Sequence, residues 1–212
     1  MGFPKRISSL QLFSGLLSST LLLGSVSLAS AQSPLTAAPL ASIPSSITIN
    51  LEGERVQVPL QRFRPDGVPI EMGVPENSFV TRVDTTPVMT RVRLSAGRNG
   101  QIINDDARIN IIWFDDLMEL DSLDDVEAWL HKNSRDRNIE LQPIRNRRAT
   151  YSWVSKRWRF ERSSDSGDRI LGKALIGQLG GKYFIVVHQL PVDMLEGYGP
   201  RVDAVLRTLR SR

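Results

Sequence analysis

The chain contains no cysteine. Disulfides, zinc–thiolate sites, iron–sulfur clusters and thiol nucleophiles are thereby excluded, and the fold must be held by its core. Histidine is nearly as scarce, with His131 and His188 the only two. His131 falls near the end of a predicted helix, where a cation suits the dipole. His188 falls in the apolar strand YFIVVHQL. Neither has a partner at metal-ligand spacing, so both are expected to be structural. Nucleophile elbows, phosphate-cradling glycine loops and H-E-x-x-H pairs are also missing. The acidic run DDLMELDSLDD lacks the glycine of an EF-hand loop, and Leu117, Met118, Leu120 and Leu123 interrupt its oxygens. It reads as a helix-capping, solvated face. No metal, no cofactor and no catalysis are expected.

The N-terminal stretch is of another kind. Lys5 and Arg6 precede a charge-free segment, Leu10 to Leu28, rich in Leu, Ser and Gly, and Ala29-Ser30-Ala31 supplies a small-x-small pattern. These features predict a signal peptide over 1–31, cleaved before Gln32, and hence an exported protein. Residues 32–45, uncharged and rich in Ala, Ser and Pro, read as a flexible leader. A single α+β domain is expected over 46–212. Cleavage would remove Lys5 and Arg6 and lower the net charge of +4 to +2. So small a total does not by itself direct a chain to nucleic acid or to an anionic membrane.

Within the domain, Ile47, Ile49 and Leu51 alternate with polar residues, Glu52-Gly53 makes a turn, and Val56 and Val58 resume the alternation, which predicts a hairpin. PVMTRVRLSA sets Val88, Thr90, Val92 and Leu94 against Met89, Arg91 and Arg93, one apolar and one basic face. ARINIIWFD places Ile109, Ile111 and Trp113 on one side and Ile112 and Phe114 on the other, as in a strand covered on both faces. Ser122 caps a helix with Asp124 and Asp125 in its first turn, and Leu123, Val126, Trp129 and Leu130 form its apolar stripe, which runs to about Asn133. Strands are predicted over 139–144, 151–160, 169–179 and 183–190. A last helical region from Pro191, broken by GYGP at 197–200, carries Val202, Val205, Leu206 and Leu209 inward. Runs of strands with few helices between them indicate α+β with an antiparallel meander.

This order of segments resembles the Mog1/PsbP-like family. The resemblance rests on RFRPDGVPIEMGVPENSFV, ARINIIWFD, SLDDVEAWL and, above all, GKYFIVVHQLPVDMLEGYGPRVDAVLRTL. It implies an α/β/α sandwich, a mostly antiparallel sheet flanked by helices, in a periplasmic or thylakoid-lumenal protein. The role it implies is assembly or docking at a larger, membrane-bound machine. It supplies no catalytic or metal residue.

The segment RNRRATYSWVSKRWRF, 145–160, interleaves six basic residues with four aromatic ones. That is the composition of a single-stranded nucleic-acid groove. Tyr151 and Trp153 have one parity and Val154, Trp158 and Phe160 the other, so a bulge near Val154 to Lys156 is expected to turn Trp158 and Phe160 inward. Rings in a core cannot stack on bases, and nucleic acid is not expected as a partner. What remains is a basic face, Arg145, Arg147, Arg148, Lys156, Arg157 and Arg159, suited to a protein partner with an acidic surface. The charge separation supports it: 105–127 holds nine acids and one arginine, and 145–162 seven bases and one acid. The alternative is a small-molecule-binding or hydrolytic domain with its site near His188.

Overall fold

The computed structural model describes residues 42–118, 120–145 and 151–212. The predicted signal peptide, most of the leader, and Arg147 and Arg148 lie outside the described residues.

The chain is a mostly antiparallel α+β protein. Strands β1 (Ser46–Leu51), β2 (Glu54–Phe63) and β3 (Ile70–Pro75) form a small sheet, which the C-terminal β11 (Arg210–Ser211) completes beside β3. A larger sheet has the order β4-β5-β6-β10-β9-β8-β7. Its members are β4 (Phe79–Thr85), β5 (Met89–Arg98), β6 (Gln101–Phe114), β7 (Gln142–Pro143), β8 (Val154–Ser163), β9 (Arg169–Leu179) and β10 (Lys182–Pro191). Helix α1 (Leu123–Arg135) connects the β4-β5-β6 meander to the second one, and α2 (Leu195–Thr208) follows β10. Tight turns set the registers. Asn99-Gly100 and Gly180-Gly181 have positive φ at both positions, 52° and 77°, then 57° and 82°. That is the twist a two-residue hairpin loop needs.

Alternation decides which side chains meet. Ile109, Ile111 and Trp113 of β6 join Val92 and Leu94, Phe184 and Val186, the small-sheet residues Ile70 and Met72, and Val202, Val205 and Leu206 of α2. Ile112 and Phe114, on the other face, pack with Val126 and Leu130 of α1 and with Trp158, Ala174, Ile176 and Ile185. The central strands are thus covered on both faces, as the sequence of β6 predicts. The start of α1 is also as predicted: the Ser122 hydroxyl accepts the Asp125 N–H at 3.1 Å, and Lys132 and Arg135 close the last turn.

The parity break in β8 is a bulge. Val154 pairs with Gly177 and Lys156 with Ile176, so Ser155 is the extra residue, and Val154 and Lys156 face opposite sides. Trp158 and Phe160 are buried as expected, 4% and 5% exposed.

Four features depart from the sequence reading. The predicted strand over 139–144 shrinks to the two residues of β7, and β4, which is half polar, has no counterpart among the predicted strands. Helix α2 runs through GYGP with Pro200 inside it. Tertiary packing compensates for the lost hydrogen bond: the Tyr198 hydroxyl donates to the Gly97 carbonyl at 3.2 Å, and its ring meets Phe79 edge-on at 5.9 Å. Finally, the helical stripe ends at Leu209, and Arg210 turns into β11. Its guanidinium reaches the Glu71 carboxylate at 2.7 Å, beside Arg62 and Arg64 at 2.7 and 2.9 Å. Burial raises the proton affinity of Glu71, but the hydrogen bonds from Arg210, Arg64 and Arg62 outweigh it and bring the pKa to about 2.

Candidate functional site

The large sheet is not fully covered by α1. Pairing places Arg93 opposite Asn110 and Ser95 opposite Arg108 across β5 and β6. Asn110 in turn faces Val187, and Arg108 faces Gln189, on β10. Beyond them lie Ala174 and Gly172 on β9, then Trp158 and Phe160 on β8. From these rows Arg93, Arg108, Asn110, Gln189, Ala174 and Phe160 help to form the floor of a cleft of about 650 Å³, with Trp158 buried in the core. One wall is the C-terminal part of α1 and the segment after it, with Trp129, Asn133, Arg137 and Leu141; the other is the Ser164–Asp168 turn.

Five arginines line this space: Arg91, Arg93, Arg108, Arg137 and Arg162. The β6 strand shapes its rim. Ser95 pairs with Arg108 but Ala96 with Asn104, so residues 105–107 bulge out of the ladder. The Asn104 carboxamide oxygen accepts the N–H groups of Asp106 and Ala107 at 2.8 and 3.2 Å, which fixes the bulge. Bulges re-aim side chains in this way. Asp106 is thereby directed to Arg162, with which it forms an ion pair, while its carbonyl accepts from Gln189 at 2.8 Å. Asp105 accepts the Ser95 hydroxyl at 2.9 Å and stands 3.6 Å from Arg93 and 3.5 Å from Arg108.

The positive charge is only partly answered. Two guanidiniums share one half-exposed carboxylate at long distance, and the Nε–H groups of Arg93 and Arg108 are buried without an acceptor. Among the described residues, no carboxylate lies within ion-pair distance of Arg91 or Arg137. Burial, then Arg137 and Arg93, lower the pKa of Arg91; burial, then Arg93, lower that of Arg108. Planar guanidinium forks in a recess suit the oxygens of an anion.

The six basic residues singled out from the sequence do not form one face. Lys156 points to the α1 side and pairs with Asp124 and Glu127. Arg157 and Arg159 alternate with the buried Trp158 and so point the other way; Arg159 donates to the Gln142 side chain at 3.2 Å. Arg145 is exposed beside β7, and Arg147 and Arg148 lie outside the described residues. The acidic and basic segments are linked through Lys156 with Asp124 and Glu127 and through Arg162 with Asp106. His131 lies 3.7 Å from Glu127 and edge-on to Trp158 at 5.5 Å. His188 is on the face opposite the cleft, paired with Ile109 and Lys173. Burial, and then Lys173, push its pKa down to about 3. No carboxylate among the described residues lies within ion-pair distance of it, and no group of three or more metal-ligating side chains is found among them.

The basic face of β5 is visible in the sequence through Arg91 and Arg93. Arg108, Arg137 and Arg162 are not connected to it there, because β-sheet register and the end of α1 bring them together.

No family model matches the chain, and no curated protein matches it. Among solved structures, a Bacteroides thetaiotaomicron protein is similar at 11% identity and a TM-score of 0.42, over 72% of this chain and 48% of that one. The chain thus spans about half the length of that protein. LpqN of Mycobacterium tuberculosis, described as involved in cell envelope biogenesis, is similar at 12% identity and a TM-score of 0.34, over 71% of this chain and 90% of that one. No helix among the described residues is long and apolar enough to cross a membrane.

Proposed function

We propose that this is an exported, non-catalytic binding protein on an α/β/α framework of the Mog1/PsbP type, and that its arginine-lined cleft holds an anionic group of the ligand. The framework reading is supported by α1 and α2 packing into clusters on opposite faces of the large sheet. Export is supported by the signal-peptide pattern at 1–31.

One observation carries the binding reading: Arg91, Arg93, Arg108 and Arg137 converge on one recess with Asp105 as the only carboxylate paired to any of them among the described residues. Arg91, Arg93 and Arg108 are half-buried, and desolvated cations without full compensation are costly for the fold. An incoming anion relieves that cost, whereas arginines kept only for solubility need no recess. The cleft carries this reading better than the 145–159 strip, whose Lys156 is already paired and whose Arg157 and Arg159 lie on the other face. Chemistry is not assigned to the cleft, because guanidiniums remain protonated at all ordinary pH and Asp105 and Asp106 are engaged with Ser95 and Arg162.

Calorimetric titration with inorganic phosphate at low ionic strength tests the proposal. Wild-type protein is expected to bind with an affinity that falls as chloride is raised, and the Arg93→Gln/Arg108→Gln variant to lose at least about tenfold. Unchanged binding in that variant, with its fold intact by circular dichroism, would refute the assignment.

A further inference from the structure

The cleft is much larger than a phosphate ion, and part of its wall is apolar. Trp129, Leu130, Ile139 and Leu141 form an apolar wall against Val187 and Phe160 of the sheet. Arg91, Arg93 and Arg108 rise from β5 and β6, where Asp105 is the one carboxylate paired to any of them among the described residues. A singly charged head group would leave half of that excess unanswered; a doubly charged one with three terminal oxygens answers it and offers acceptors to several forks at once. Volumes of several hundred Å³ are those of organic ligands.

We infer that the ligand is an amphipathic organic phosphate: a phosphomonoester head on Arg91, Arg93 and Arg108, and an apolar body along the Trp129–Leu141 wall. This rests on the anion-binding reading above and adds the body to the head. The asymmetry is the argument, since a site for a free inorganic anion needs no apolar end and a site for a neutral apolar molecule needs no arginines. The source of such a compound, a soluble ester or a membrane phospholipid, is the same chemistry at the cleft.

The intrinsic fluorescence of Trp129 reports occupancy, because Trp113, Trp153 and Trp158 are buried in the core and Trp129 lines the cleft. Octyl phosphate below its micellar concentration, inorganic phosphate and 1-octanol are titrated separately. Octyl phosphate is expected to shift the emission, an effect lost in Trp129→Phe, and to bind at least about tenfold tighter than inorganic phosphate, the gain from burying two methylenes. Leu141→Asn should remove that advantage and leave inorganic phosphate unaffected. Arg93→Gln/Arg108→Gln should weaken both phosphates. Equal affinity for octyl and inorganic phosphate overturns this inference and leaves the anion site standing. Octanol binding as tightly as octyl phosphate also overturns it. Phosphates that do not bind, or that bind regardless of Arg93 and Arg108, overturn both readings. Co-sedimentation with phosphatidylcholine vesicles doped with phosphatidic acid assigns the source to a membrane; binding of soluble octyl phosphate alone assigns it to free esters.

Discussion

Substituting Gly172 by alanine should be costly, and the reason is one ring. Gly172 pairs directly with Phe160 across β8 and β9, and Phe160 lies over it. A Cβ at Gly172 would come 2.6 Å from Cε1 of Phe160, with two further ring atoms closer still. The ring, 5% exposed, has no route out that does not uncover it. Overpacking of this kind costs about 1–3 kcal/mol. Alanine returns up to about 1 kcal/mol by restricting the unfolded chain. A net loss of about 2 kcal/mol is expected, read as a lower urea midpoint at constant slope. Phe160→Ala alone should cost about 3 kcal/mol as a cavity. In the double variant the new methyl enters the vacated space, so the two losses should fall short of adding by at least about 1 kcal/mol. Gly197 is the control. It sits in the first turn of α2, and a Cβ there would meet only the Arg201 guanidinium, at an ordinary 3.8 Å, so Gly197→Ala should stabilise by up to about 1 kcal/mol. Additive losses in the double variant, or a Gly172→Ala protein as stable as wild type, would refute the packing argument.

Two further predictions concern acid. Glu71 has a folded pKa of about 2, below its ordinary 4.5, so its stabilisation is complete above about pH 4.5 and is lost as pH falls toward 2. The depression corresponds to about 3 kcal/mol, reduced to about 1–2 because Arg62 and Arg64 are half exposed and screened; Glu71→Gln should lose this at neutral pH and converge with wild type near pH 2 in urea titrations. His188 remains neutral in the fold down to about pH 3, while the unfolded chain takes up a proton near 6.5. Stability should therefore decline from pH 6.5 to 4.5, before Glu71 contributes, at up to about 1.4 kcal/mol per pH unit, and His188→Gln should flatten that limb; an unchanged slope would show that His188 titrates freely.

Much of the architecture is written in local pattern. The cap at Ser122, the alternation of β6, the spans of β9 and β10 and the parity break at Ser155 are all local signals, and each appears where the pattern puts it. What escapes such reading is set by distance along the chain. β4 carries only a weak apolar pattern and exists because β5 offers it an edge. Helix α2 survives Pro200 because Tyr198, Val202 and Val205 are anchored in the core. The cleft draws Arg91, Arg108, Arg137 and Arg162 from four separate segments, and no window of sequence contains them together. Charge segregation is the most misleading signal. Acidic and basic blocks that look unpartnered along the chain meet inside the fold, as Lys156 and Glu127 do.

The outer margin of the large sheet gives the basic stretch a different value. The two residues of β7 cover only Trp158 and Arg159, and one of them, Pro143, has no N–H to offer. Much of β8 therefore ends in backbone groups that no other described strand engages. Bare margins recruit neighbouring chains and grow into aggregates, and charged side chains along them are a common defence. Arg157, Arg159 and Glu161 stand along this one; Arg82 and Asp84 stand along the opposite margin, on β4. At both ends of the sheet, charge discourages the next strand from joining, and the ladder stops at its seven described strands.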